Sequence, residues 1–126
     1  MDKVRKERSE SLGSQAGIEC LFSDEHVAVI SKSSGLLVHR GWARDRVVAM
    51  SLLRNALGRQ VFPVHRLDRA TSGLLIFALH AKAARKLQLS FQAGRVEKAY
   101  LALIRGRLPE ACVLDYAIPN KVGGER

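Results

Sequence analysis

The stretch Val61-Phe62-Pro63-Val64-His65-Arg66-Leu67-Asp68-Arg69-Ala70-Thr71-Ser72-Gly73-Leu74-Leu75-Ile76-Phe77-Ala78 decides the fold. Its last six residues, Gly73 to Ala78, are the strongest strand candidate in the chain, a short apolar run opened by glycine. Val61 to Val64 is also extended, and a polar loop, His65 to Ser72, joins the two. Upstream, Ile18, Cys20 and Phe22 alternate with polar residues, and Val27-Ala28-Val29-Ile30 is a compact apolar run. Both predict short strands, with Asp24-Glu25 as the turn between them. Ser33-Ser34-Gly35 breaks the chain, and Leu36-Leu37-Val38 begins another extended piece.

Two segments carry helical spacing instead. From Val47 to Leu57, Val48, Leu52 and Ala56 recur every fourth residue, Leu53 and Leu57 widen the stripe, and Gly58 marks the stop. From Ala81 to Gln92, Ala83, Leu87 and Phe91 share a face, Lys82, Arg85 and Lys86 occupy the other, and Gly94 follows. Ala99 to Ile104, bearing Tyr100, is expected to be a final apolar strand. The order strand, strand, helix, strand, loop, strand, helix, strand has no regular β-α-β repeat. It predicts an α+β fold: a mixed, largely antiparallel sheet with short flanking helices. Residues 1–17, polar and charged, are expected to be a flexible arm, and residues 18–126 the folded part.

The 126 residues suffice for one domain with a real core. No run nears the roughly 18 apolar residues of a membrane span, so no membrane partner is expected. The start, MDKVRKERSE, has no apolar stretch behind it and is unlike a secretory signal. Lysine and arginine total 21 against 12 acidic residues, a formal charge of +9, which suits a phosphate-bearing partner. Cys20 and Cys112 are far apart and have no zinc-like spacing, and His26, His39, His65 and His80 are isolated. Two ordinary buried thiols, a cytoplasmic setting and no metal are the expectation.

In the polar loop, Leu67 is expected to point inward as an anchor while Asp68 is presented between Arg66 and Arg69. Such a carboxylate reads in two ways. It caps its own loop and pairs with arginine, or it serves as a nucleophile or base beside phosphate-binding groups. The residues alone leave both open.

The run Val64 to Leu75, VHRLDRATSGLL, resembles the HRLDxxTSG signature of the RluA-like family of pseudouridine synthases. Asp24 to Lys32, with Ser34 to His39, is similar to that family's opening segment. Lys98-Ala99-Tyr100-Leu101-Ala102 with Gly106 is similar to its KxYxAxxxG element. The resemblance runs from about Leu21 to Gly106. It implies that Asp68 is the catalytic aspartate and that Tyr100 stacks on the uracil. It also implies that Arg66 fills the space left by the flipped base. His65, Thr71, Ser72 and Gly73 become loop support, and Arg40, Arg66 and Arg69 RNA-binding groups. The implied reaction is an isomerisation needing no cofactor. The implied partner is RNA, tRNA ahead of ribosomal RNA, with no indication of oligomeric state.

Two departures from the family pattern stand out. Lys32-Ser33-Ser34-Gly35 replaces Lys-Pro-Ser-Gly, and no TGRxHQIR segment occurs before Arg126. On this reading residues 18–126 are the N-terminal part of a catalytic domain. The competing readings are a catalytically inactive RNA-binding fragment and, more weakly, a hydrolase built from Ser72, His65 and Asp68, which lacks a Gly-x-Ser-x-Gly elbow.

Overall fold

The computed structural model describes residues 14–15, 17–41, 44–108 and 110–117. In chain order the elements are β1 (Ser14–Gln15), β2 (Ile18–Ser23), β3 (Val27–Lys32), α1 (Ala49–Leu57), β4 (Phe62–Pro63), β5 (Gly73–Ala78) and α2 (Ala81–Gln92). The strands form one sheet in the order β1-β2-β3-β5-β4, antiparallel at every pairing. This is the α+β architecture expected. Of the expected 1–17 arm, Ser14 and Gln15 pair with β2; the rest of that arm, apart from Gly17, lies outside the described residues.

Alternation sets the two faces. Along β3, Ala28, Ile30 and Lys32 are buried while Val27, Val29 and Ser31 are only half-buried. Opposite them on β5, Phe77 pairs with Ala28 and Leu75 with Ile30, all fully buried. On this face Ala49 and Leu53 of α1 join Ile18, Val38, Val61 and Leu67 in the main core. On the other face, Ala83 and Ala84 of α2 meet Ala78, with Phe62, Val64 and Leu87 around them. Fully burying large apolar side chains such as Ile30, Leu53, Leu75 and Phe77 contributes about 1.5–3 kcal/mol each.

Local chemistry fixes the connections. The Asp24 carboxylate accepts the backbone N–H groups of His26 (2.7 Å) and Val27 (2.8 Å), closing the β2–β3 turn. Ser51 Oγ accepts from the Val48 N–H and donates to its carbonyl, starting α1 two residues later than the apolar stripe suggests. Gly58, at φ 63°, ends it in the left-handed conformation. His80 caps α2, its Nδ1 accepting the Ala83 N–H at 3.2 Å.

Three expectations need correction. Leu36 to Val38 is not a strand: the Leu37 and Val38 carbonyls accept the Ala49 and Met50 N–H groups and so serve the first turn of α1. Ala99 to Ile104 is also not a strand. Nothing among the described residues pairs with it, and Leu101 and Leu103 are fully exposed. Cys112 is exposed and Cys20 half-buried, so they are not two buried thiols.

Candidate active site

The loop between β4 and β5 is held from below. Leu67 is 5% exposed and sits in the main core, as its apolar character predicted. The Thr71 N–H donates to the Asp68 carbonyl at 3.0 Å, so residues 68–71 form a tight turn. Gly73 enters β5 at φ 134°, a conformation that disfavours any side chain.

The turn is also fastened from the side by the segment after β3. The Gly35 N–H donates to the Arg69 carbonyl at 2.7 Å, and Ser34 Oγ donates to the Ala70 carbonyl at 2.8 Å. Lys32 lies beneath both. It is 1% exposed, and its ammonium donates to the carbonyls of Ser33 (2.9 Å), Leu36 (2.7 Å) and Arg69 (3.2 Å). Three acceptors match the three protons of the group, which is what makes burial of this charge tolerable. Burial still pulls the proton affinity of Lys32 down, and the nearby Asp68 charge pulls it partly back up. Thus a buried ammonium lies within electrostatic range of the candidate carboxylate.

His65 is fixed by its ring. Nε2 accepts the Ile76 N–H at 3.0 Å, and the imidazole stacks on Phe91 with centroids 4.7 Å apart and planes 21° from parallel. Burial, assisted by the Lys98 charge, lowers its proton affinity and favours the neutral ring. With Nε2 accepting, the proton of that neutral ring is on Nδ1.

A cavity of about 710 Å³ opens on the α2 side of the sheet. Its lining includes His65, Thr71, Ser72, Gly73, Phe91 and Tyr100. The volume falls in the range usual for small-molecule sites, about 300–1,000 Å³. The structure therefore gathers the four expected loop-support residues and Tyr100 around one space. Tyr100 remains 63% exposed. Asp68 is exposed at the edge, outside the lining itself, although its neighbours Leu67 and Ala70 belong to it.

The arginines differ from one another. Arg66 and Arg40 are exposed. Arg69 is exposed but engaged, donating through both terminal nitrogens to the two Asp45 oxygens at 2.9 and 3.0 Å. This bond holds the Asp45 carboxyl below the usual carboxylate range and raises the affinity of Arg69 for its proton. Sequence reasoning missed the roles of Lys32, Asp45 and Phe91. Period-two alternation carried a signal for the first, because Ala28, Ile30 and Lys32 share the inner face of β3. Among the described residues, no group of three or more His, Cys, Asp or Glu side chains is placed to hold a metal ion. Likewise, no helix there is long and apolar enough to cross a membrane.

Residues 26–123 match the family model described as RNA pseudouridylate synthase, and the chain belongs to that family. It is similar to the tRNA pseudouridine synthase C of Pectobacterium carotovorum subsp. carotovorum, with 40% identity over 107 residues, 83% of this chain and 28% of that protein. The tRNA pseudouridine synthase C of Haemophilus ducreyi is 42% identical over 103 residues, 80% of this chain and 42% of its own. That of Vibrio cholerae is 40% identical over 107 residues, 83% and 44% respectively. The chain spans less than half the length of these curated relatives. Among solved structures, human RNA pseudouridylate synthase domain containing 4 matches at 25% identity and a TM-score of 0.49, covering 60% of this chain and 30% of that one.

Proposed function

We propose that this chain carries the catalytic loop of a cytoplasmic RNA pseudouridine synthase whose substrate is a uridine in tRNA. Asp68 acts on the target nucleotide as its C1′–N1 bond breaks. The uracil turns and re-forms the bond through C5; the C5 proton leaves and N1 gains one, so the reaction is balanced as an isomerisation. Tyr100 stacks on the uracil, and Arg66 takes the place of the everted base. Extruding a base costs a few kcal/mol, which stacking worth about 1–3 kcal/mol and phosphate contacts offset.

The observation that carries this reading is the exposed Asp68 carboxylate on a turn whose next two carbonyls are pinned by Gly35, Lys32 and Ser34. A reactive group held on a rigid support needs little reorganisation when substrate arrives. The test is tritium release from tRNA labelled at uridine C5, using the naturally expressed polypeptide. Release that is abolished by Asp68→Asn supports the assignment, and no release from folded protein overturns it. A second reading, RNA binding without turnover, draws on the 63% exposure of Tyr100. Retained tRNA affinity with no product would favour it.

A further inference from the structure

The Asp45–Arg69 ion pair joins positions 24 residues apart. Its two ends are unequal. Arg69 is fixed at its backbone, since its carbonyl accepts from both Gly35 and Lys32. Asp45 belongs to the connection between Val38 and α1, whose feet are also fixed: Val38 and Val48 are buried, and Leu37 and Val38 accept hydrogen bonds from the first turn of α1. Between those feet the connection is tied to the motif turn at Asp45. On either side of Asp45 stand Arg44 and Arg46, both exposed. The Asp45 charge is matched by Arg69, so these two cations are not neutralised by the acid between them. Chain geometry keeps their backbones within about 20 Å of the Asp68 backbone.

We infer that Arg44 and Arg46 form a phosphate-binding pair that grips the RNA strand beside the target nucleotide, on a loop that the Asp45–Arg69 bond holds in place. The inference rests on the reading of this chain as part of an RNA-modifying enzyme. Phosphate oxygens are the chemistry that two guanidinium groups on one short loop recognise, and such contacts position a strand without reading its bases. Asp45 is then a positioning residue.

The experiment measures tRNA affinity of the naturally expressed polypeptide between about 50 and 200 mM salt, with thermal melting as a control for folding and C5 tritium release run in parallel. Arg44→Ala and Arg46→Ala each weaken binding about fivefold at low salt and reduce the salt slope by about one. Asp45→Asn separates positioning from bulk charge. It makes the loop more positive, so a purely electrostatic surface would bind RNA more tightly. Loss of the tie instead weakens binding about two- to fivefold. Unchanged affinity and slope in the two arginine variants overturn the inference even where tritium release is normal. Tighter binding by Asp45→Asn overturns the positioning role. If the polypeptide binds tRNA with the expected slopes yet releases no tritium, the proposed catalysis fails while the phosphate-binding pair stands.

Discussion

Two halves of the candidate site are supported in opposite ways. The turn bearing Asp68 is tied to its surroundings by Leu67, Lys32, Ser34 and Gly35, over a core in which Ile30, Leu75 and Phe77 are wholly enclosed. The segment bearing Tyr100 makes no strand pairing among the described residues, and its Leu101 and Leu103 are as exposed as in an extended chain. A strand-forming composition is thus not enough to form a strand. It needs an edge to pair with and a face to cover, and β5 finds both in β3 and α1. The proposed chemistry falls on the tied half and the proposed substrate contact on the untied one.

The sharpest way to break this contrast is at Asp68. Asp68→Asn keeps size and exposure, so folding should be unaffected while turnover falls at least about a thousandfold. Melting curves and tritium release measured on the same preparation check both parts. A residual rate within tenfold of the parent would remove Asp68 from the chemistry.

Next in size is the support itself. Lys32→Met preserves the stem but withdraws three charge-assisted hydrogen bonds from the carbonyls of Ser33, Leu36 and Arg69. The expected loss of stability is about 2–3 kcal/mol, net of the relief from no longer burying a charge. Urea unfolding measures it, and a loss below about 0.5 kcal/mol would show that the loop holds without its ammonium.

The loose half should respond in the reverse sense. Tyr100→Ala removes a ring that is 63% exposed, so stability should shift by no more than about 0.5 kcal/mol. Loss of stacking worth about 1–3 kcal/mol should weaken use of substrate about 10- to 100-fold in kcat/KM. Unfolding of the variant would mean that the ring packs in the core after all.

How far these features could be read from the residues follows the same division. The α2 boundaries and the β5 run are local patterns, and they were legible in full. The anchor role of Leu67 was also legible, because a lone apolar residue in a polar loop has few alternatives. The fastening of the Asp68 turn was not. It joins Lys32 to the Arg69 carbonyl across 37 positions, through a backbone acceptor that carries no residue-type signal, and the Arg69 guanidinium to the Asp45 carboxylate across 24, a pairing that local spacing does not reveal. The strand expected over Ala99 to Ile104 failed for a related reason. Apolar composition reports a wish for cover, and says nothing of whether the cover is present.

The smallest expected effect tests whether His65 belongs with the rigid half. Its neutral ring is favoured in the fold by burial and by the Lys98 charge, so its proton affinity is lower folded than unfolded. The unfolded chain then binds more protons at this position as pH falls through the ordinary imidazole value, about 6.5. The contribution to stability is present above that pH and is lost below it, levelling off under the lowered folded value. The structural cause is specific: protonation turns Nε2 from the acceptor of the Ile76 N–H into a donor, abolishing a 3.0 Å bond at the centre of β5. Other groups titrate in the same range, so the measurement is a difference. Urea midpoints of the parent and of His65→Gln, taken from pH 7.5 down to 5.5, should converge as the pH falls. Curves that stay parallel would mean that the imidazole keeps its bond when charged, and that the ring is held by its stacking on Phe91 instead.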